Sequence, residues 1–180
     1  MNLRLISGTF GGRIIEGSGT NRTHPMGERI RGALFNIIGS DIKDATVLDA
    51  FAGSGSLGLE ALSRGAESVV FVERDRAAQN VIMNNVKTLG VDASSKLVKA
   101  PVASWLEKTE LQFDIIFADP PYHDLQLSTV GKLTKLLKPN GLMVLSYTGK
   151  GEVPTDLGVV VVDSRRYGDA VLAFYQRKSV

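Results

Sequence analysis

Apolar residues recur along this chain with two different periods, and the changes of period mark its elements. "LRLIS" and "GRIIE" alternate around a glycine-rich turn and predict a short N-terminal hairpin. In "THPMGERIRGALFNIIG", Ile30, Ala33, Leu34, Ile37 and Ile38 fall at helical spacing. That helix is expected to have Thr23 or His24 as its cap, Pro25 in its first turn and Gly39 at its end. From Thr46 onward, apolar runs alternate with amphipathic stretches. "TVLDAF", "SVVFVE", "SKLVKA", "FDIIFAD" and "LMVLSY" have the character of buried strands. Between them, "SLGLEALSRG", "DRAAQNVIMNNVKTLG", "VASWLEK" and roughly Leu125–Leu137 are expected as helices, the last ending at the "KPNG" turn. Such alternation predicts a parallel sheet covered on both faces. The final apolar stretch, "VVVVDSRRYGDAVLAFYQ", holds two strands with no room for a helix between them, so it predicts an antiparallel hairpin with Arg165 and Arg166 in its turn. The expected fold class is α/β: a mostly parallel seven-stranded sheet finished by that hairpin, with a small hairpin and helix in front. Residues 1–40 are expected to form an extension and 41–180 the main domain of one compact unit.

Composition narrows the classes. A chain of 180 residues holds one full domain, and 43% hydrophobic with 22% charged residues suits a packed core better than disorder. There is no cysteine, which excludes a disulfide framework, a thiolate zinc site and a cysteine nucleophile, and fits a reducing compartment. The N-terminus has no signal-peptide core, and no run reaches membrane-spanning length, so a soluble cytoplasmic protein without a membrane partner is expected. His24 and His123 have no metal-ligand spacing, and no metal is expected. Net charge is only +2, yet the first 40 residues hold five arginines against two glutamates. Arginine suits forked phosphate contacts, so Arg4, Arg13, Arg29 and Arg31 are candidate nucleic-acid ligands.

The run "VLDAFAGSGSLGLEALSRGA" contains Gly53-x-Gly55-x-x-Gly58 after a predicted strand, the pattern of a dinucleotide site. Glu73 ends the next strand, twenty residues past Gly53, where a carboxylate can bind ribose hydroxyls. Asp49 separates the candidate ligands. A pyrophosphate is drawn to a helix N-terminus free of competing anions. At about 4–6 Å and an effective dielectric near 20, a carboxylate would repel it by roughly 3–4 kcal/mol. A sulfonium donor with an ammonium group reverses that sign, while the glycines still let the backbone pass close to it. Phe51 and Ser54 lie in the same loop.

"DIIFADPPYHD" places Asp119-Pro120-Pro121-Tyr122 after the fourth main strand, beside the same crevice. Two prolines stiffen the loop. The Asp119 carboxylate and the Pro120 carbonyl can accept both hydrogens of a nucleobase amine. They would stabilise its developing charge and aim its lone pair for in-line transfer. Tyr122 offers a stacking face to a base that is unpaired or flipped out.

Asp-Pro-Pro-Tyr is the tetrapeptide of amino-methyltransferases acting on nucleic-acid bases. With "LRLISGTFGGR", "ERIRGALFNIIG", "LDAFAGSGSLGLEALSRGA", "FADPPY" and "RRYGDAVLAFY", the chain resembles the bacterial 16S ribosomal RNA guanine-N2 methyltransferases of the RsmD type over nearly its whole length. The resemblance implies a Rossmann-like class I fold and S-adenosylmethionine as cofactor. It also implies methyl transfer to N2 of a guanine in 16S rRNA, within the small subunit or an assembly intermediate, by a monomer. Asp49, Phe51, Gly53, Ser54, Gly55, Glu73, Val102 and Asp119 are the expected cofactor ligands. Asp119, Pro120 and Tyr122 are expected to hold the base. Two stretches depart from the family pattern: His24 stands where an arginine is usual, and Ala100-Pro101-Val102 replaces a polar contact to adenine. Two other readings of the same residues are a DNA or other RNA amino-methyltransferase, acting on adenine N6 or cytosine N4, and a nucleotide-binding protein without methyl transfer.

Overall fold

The computed structural model describes residues 1–19, 26–148 and 158–178. β1 (Asn2–Arg4) and β2 (Ile14–Glu16) pair antiparallel, and α1 (Glu28–Ile38) follows. Then come β3 (Thr46–Ala50), α2 (Ser56–Ser63), β4 (Ser68–Glu73), α3 (Arg76–Leu89), β5 (Ser95–Lys99), α4 (Val102–Leu106), β6 (Phe113–Ala118) and α5 (Leu127–Leu133). The chain closes with β7 (Leu137–Tyr147), β8 (Val159–Tyr167) and β9 (Ala170–Arg177). The large sheet has the order β5-β4-β3-β6-β7-β9-β8, parallel from β5 to β7 and antiparallel through β9 and β8. Strand order reverses between β3 and β6, so the crevice beyond their carboxyl ends is where a ligand belongs.

Several boundaries differ from the sequence expectation. α1 starts at Glu28 with Gly27 as its cap, and the expected Thr23 or His24 cap and Pro25 first turn lie outside the described residues. α5 stops at Leu133 and tightens into a 3-10 turn, Thr134–Leu136. The "KPNG" stretch is not a free turn. It is absorbed into β7 as an irregularity, with Phe113 opposite Leu137 but Ile115 opposite Leu142, and Asn140 at φ 66°. Arg165 and Arg166 lie within β8; the hairpin turn is Gly168–Asp169, where Gly168 at φ 61° supplies the left-handed conformation a two-residue loop needs.

Two apolar clusters cover the two faces. Leu34 and Phe35 of α1, Leu57 and Leu59 of α2 and Ile82 of α3 pack with Val47, Phe71, Phe117 and Leu172 on one face. On the other, Val102, Val130 and Leu133 pack with Leu48, Ile116, Met143 and Tyr175. α2 lies close to the sheet because position 58 is glycine: a Cβ there would come within 2.4 Å of the Phe71 ring. The third glycine of the motif therefore serves helix-on-strand packing.

Buried charges tie the N-terminal segment to α2. Glu60 is fully buried and accepts from the backbone N–H of Ile6 (2.9 Å) and Ser7 (3.2 Å) and from Arg64 Nε (2.9 Å). Arg31 Nε lies 3.6 Å from the same carboxylate, and its other nitrogens donate to the carbonyls of Met26 and Arg4. Arg31 is 0% exposed. This corrects the expectation that it contacts RNA: its guanidinium is enclosed, and burial lowers its pKa against the opposing pull of Glu60.

Candidate active site

The loop after β3 is built from backbone conformations that few residues adopt. Phe51 (φ 57°), Gly53 (φ 59°) and Gly55 (φ 82°) are all left-handed. For an aromatic residue this is a real strain, of the kind held at functional sites by surrounding contacts. Those contacts are visible. Ala52 N–H donates to the Val72 carbonyl at 3.0 Å, Gly53 N–H to Glu73 Oε2 at 2.7 Å, and Asn85 Nδ2 to the Ser54 carbonyl at 3.1 Å.

Among the described residues four acidic side chains line the crevice, Asp49, Glu73, Asp75 and Asp119; Asp75 also caps α3, accepting from Ala78 N–H at 2.9 Å. Asp49 is buried beneath the start of α2, where Gly58 N–H donates to its Oδ2 at 2.9 Å. The helix cap, Gly55, has no side chain, so Asp49 supplies the capping acceptor from the preceding strand. Burial pushes the Asp49 carboxyl well above the usual carboxylate range. The Gly58 N–H opposes this, and the like charges of Asp119 and Glu73 add to it. Glu73 accepts from Gly53 N–H with one oxygen and from Asp75 N–H (2.8 Å) with the other, and each oxygen keeps a second lone pair. Asp119 follows the end of β6, half-buried; burial pushes its pKa up to about 7 against a hydrogen bond from the Ser146 hydroxyl.

A cavity of about 560 Å³ joins these groups. Asp49, Phe51, Gly53, Ser54, Glu73, Val102, Asp119, Pro120 and Tyr122 all line it; Gly55 lies behind the wall, packed toward Phe71 and Ile82. Pro101 and Val102, at the start of α4, give an apolar side wall. Tyr122 and His123 are exposed at the mouth. The volume suits one nucleoside-sized ligand with room for a second ring at the opening.

Some residues at the cavity and its supporting loop carry little signal in the sequence. Ser18, buried after β2, lines the cavity. Asn85 accepts from Glu16 N–H and donates to the Glu16 and Ser54 carbonyls, so it joins β2 to the glycine loop. Ser146 and Asn85 each had a faint signal, a lone polar residue on an apolar strand or buried helix face. The arginines divide. Arg4 is exposed and pairs with Glu28 at 3.2 Å. Arg13 donates to the Thr88 carbonyl at 3.1 Å, at the end of α3 away from the crevice. Arg29 lies over the Tyr167 ring, 5.9 Å from its centroid.

The family model described as "Conserved hypothetical protein 95" matches residues 3–176. Ribosomal RNA small subunit methyltransferase D of Haemophilus influenzae is 35% identical over 147 residues, covering 78% of this chain and 76% of that one. The chain belongs to the RsmD-type methyltransferase family. The YlbH protein of Bacillus subtilis is 33% identical over 183 residues, 98% of this chain and 100% of that one. The solved structure of the Escherichia coli protein YhhF superposes with a TM-score of 0.90 at 30% identity, covering 100% of both chains. The fold of this RsmD-type protein is accordingly the Rossmann-like class I methyltransferase fold, and the crevice at its strand-order reversal is the candidate active site.

Proposed function

We propose that this protein transfers a methyl group from S-adenosylmethionine to the exocyclic N2 of a guanine in 16S rRNA, in the small subunit or an assembly intermediate. The observation that carries the proposal is the meeting of Asp49, Glu73 and Asp119 at one cavity beside the Asp-Pro-Pro-Tyr loop. The family relatives named for ribosomal RNA small subunit methylation support the substrate class.

The residues fit this cofactor. An acidic crevice favours a ligand carrying an ammonium and a sulfonium and disfavours a pyrophosphate. Glu73 has free lone pairs for ribose hydroxyls, and Val102 with Pro101 offers an apolar wall and a backbone donor to an adenine. When bound, S-adenosylmethionine supplies a methyl group on a positively charged sulfur with a neutral thioether as leaving group. Asp119 and the Pro120 carbonyl accept the two amine hydrogens and hold the nitrogen with its lone pair toward the cofactor side of the cavity. A carboxyl with its pKa raised to about 7 is also suited to take the proton that nitrogen sheds. Tyr122, 47% exposed at the mouth, gives the base a stacking surface.

Incubation with methyl-labelled S-adenosylmethionine and small subunits, protein-free 16S rRNA or DNA, followed by digestion and mass analysis, is expected to yield N2-methylguanosine from the ribosomal substrates. N6-methyladenosine, N4-methylcytidine or label confined to DNA would overturn the proposal.

A further inference from the structure

The register of the sheet places a cation in line with Asp119. Ala118 pairs with Leu145, and Asp119 takes a hydrogen bond from Ser146, the next residue of β7. Ser146 is opposite Leu172 of β9, and Leu172 is opposite Arg165 of β8. Asp119, Ser146, Leu172 and Arg165 thus form one cross-strand row at the carboxyl end of the sheet, spanning three strand spacings or roughly 14 Å.

The side chain of Arg165 faces the α1 side because of a local irregularity. Val161 is opposite Tyr175 but Asp163 is opposite Phe174, so β8 carries one extra residue at Val162. Before it, Val159 and Val161 pack on the face covered by α4 and α5; after it, Tyr167 packs on the face covered by α1. Such a bulge re-aims every later side chain. Arg165 and Tyr167 therefore join Arg29, and Arg166 is left on the opposite face. Arg29 stands in the first turn of α1, where the helix dipole disfavours a cation, and lies over Tyr167. The Arg165–Asp163 pair is exposed at 3.3 Å and easily exchanged for another anion.

We propose that Arg29, Arg165 and Tyr167 form an edge on which the RNA strand flanking the target base runs, with the arginines on phosphates and the row leading to Asp119. This rests on the proposed RNA substrate and adds where the strand lies. Binding of protein-free 16S rRNA would be measured against salt for Arg29→Ala, Arg165→Ala, Arg165→Lys and Arg166→Ala. The plot of log affinity against log salt is expected to become shallower by about 0.7–0.9 for each of Arg29→Ala and Arg165→Ala. Arg165→Lys and Arg166→Ala should keep the native slope. KM for RNA should rise several-fold in the two sensitive variants, with kcat and S-adenosylmethionine affinity unchanged. An equal effect at Arg166, or no change of slope at Arg165, would overturn the edge. So would loss of turnover on intact subunits without any change on protein-free RNA, which would make the surface a ribosomal-protein contact. Failure of the RNA assignment itself would show separately, as a wild-type protein that binds the cofactor yet methylates no RNA.

Discussion

Replacing Asp119 with alanine is expected to lower kcat by about 10²–10³-fold, equivalent to about 2.7–4 kcal/mol, while the protein stays folded and still binds its cofactor. Alanine removes the acceptor for one amine hydrogen and leaves only the Pro120 carbonyl. Ser146 loses its acceptor too, but above the folded pKa of Asp119 the buried carboxylate no longer stabilises the native state. A carboxyl whose folded pKa is raised to about 7 stabilises the fold only when protonated. Its contribution is complete below the unfolded value and is lost as pH rises through the folded one. Thermal melts at pH 8 should therefore show the variant at least as stable as the native protein. Single-turnover rates should carry the whole effect. Asp119→Asn keeps one acceptor without charge, so it should retain more activity than alanine and lose any rate inflection belonging to this carboxyl.

Glu60→Ala is expected to be the most destabilising single change outside the catalytic loop. It strands Arg31, fully buried, without its counter-charge, and it removes the acceptor of two backbone N–H groups, Ile6 and Ser7. Breaking one side of a buried ion pair costs about 3–5 kcal/mol. For a chain of 180 residues that corresponds to a fall in Tm of about 6–20 °C. Replacing both partners with apolar residues, as in Glu60→Leu with Arg31→Met, should recover the share due to the stranded Arg31 charge, while the Ile6 and Ser7 N–H groups stay without their acceptor. A double-mutant cycle by calorimetry would show this as strong non-additivity. A loss at Glu60 below about 1 kcal/mol would mean that water reaches the pair.

The contrast between these two residues shows what the sequence makes legible. Asp119 sits inside a stiff tetrapeptide at the end of an apolar strand, a local pattern whose place in the crevice follows from parallel topology alone. Asp49 and Glu73 are legible for the same reason, each ending a strand beside the strand-order reversal. The protonation of Asp49 is not legible in this way. From "LDAF" alone Asp49 reads as a fixed negative charge, whereas burial under α2 and two neighbouring carboxylates hold it toward the neutral form. An arginine between Ile30 and Leu34 is most simply placed on a solvated face, yet Arg31 is buried. Its enclosure depends on Glu60, 29 positions away, and on carbonyls before α1. The extra residue in β8 was equally hidden, since "VVVVDSRRY" has no glycine or proline to announce a bulge, and the face taken by Arg165 follows from it.

On the proposed function, the crevice is built for a cation. In the free protein Asp119, its pKa pushed up to about 7, is partly protonated below neutrality, and burial holds Asp49 toward its neutral form. A bound sulfonium and ammonium would favour both carboxylates in their charged form and expel protons. Calorimetric titration near pH 6.5, in buffers of different ionisation enthalpy, counts those protons directly. S-adenosylmethionine is expected to release more than the neutral-sulfur product S-adenosylhomocysteine, and Asp119→Asn should remove most of the difference. Equal proton release by the two ligands, or tighter binding of NAD than of either, would contradict the account.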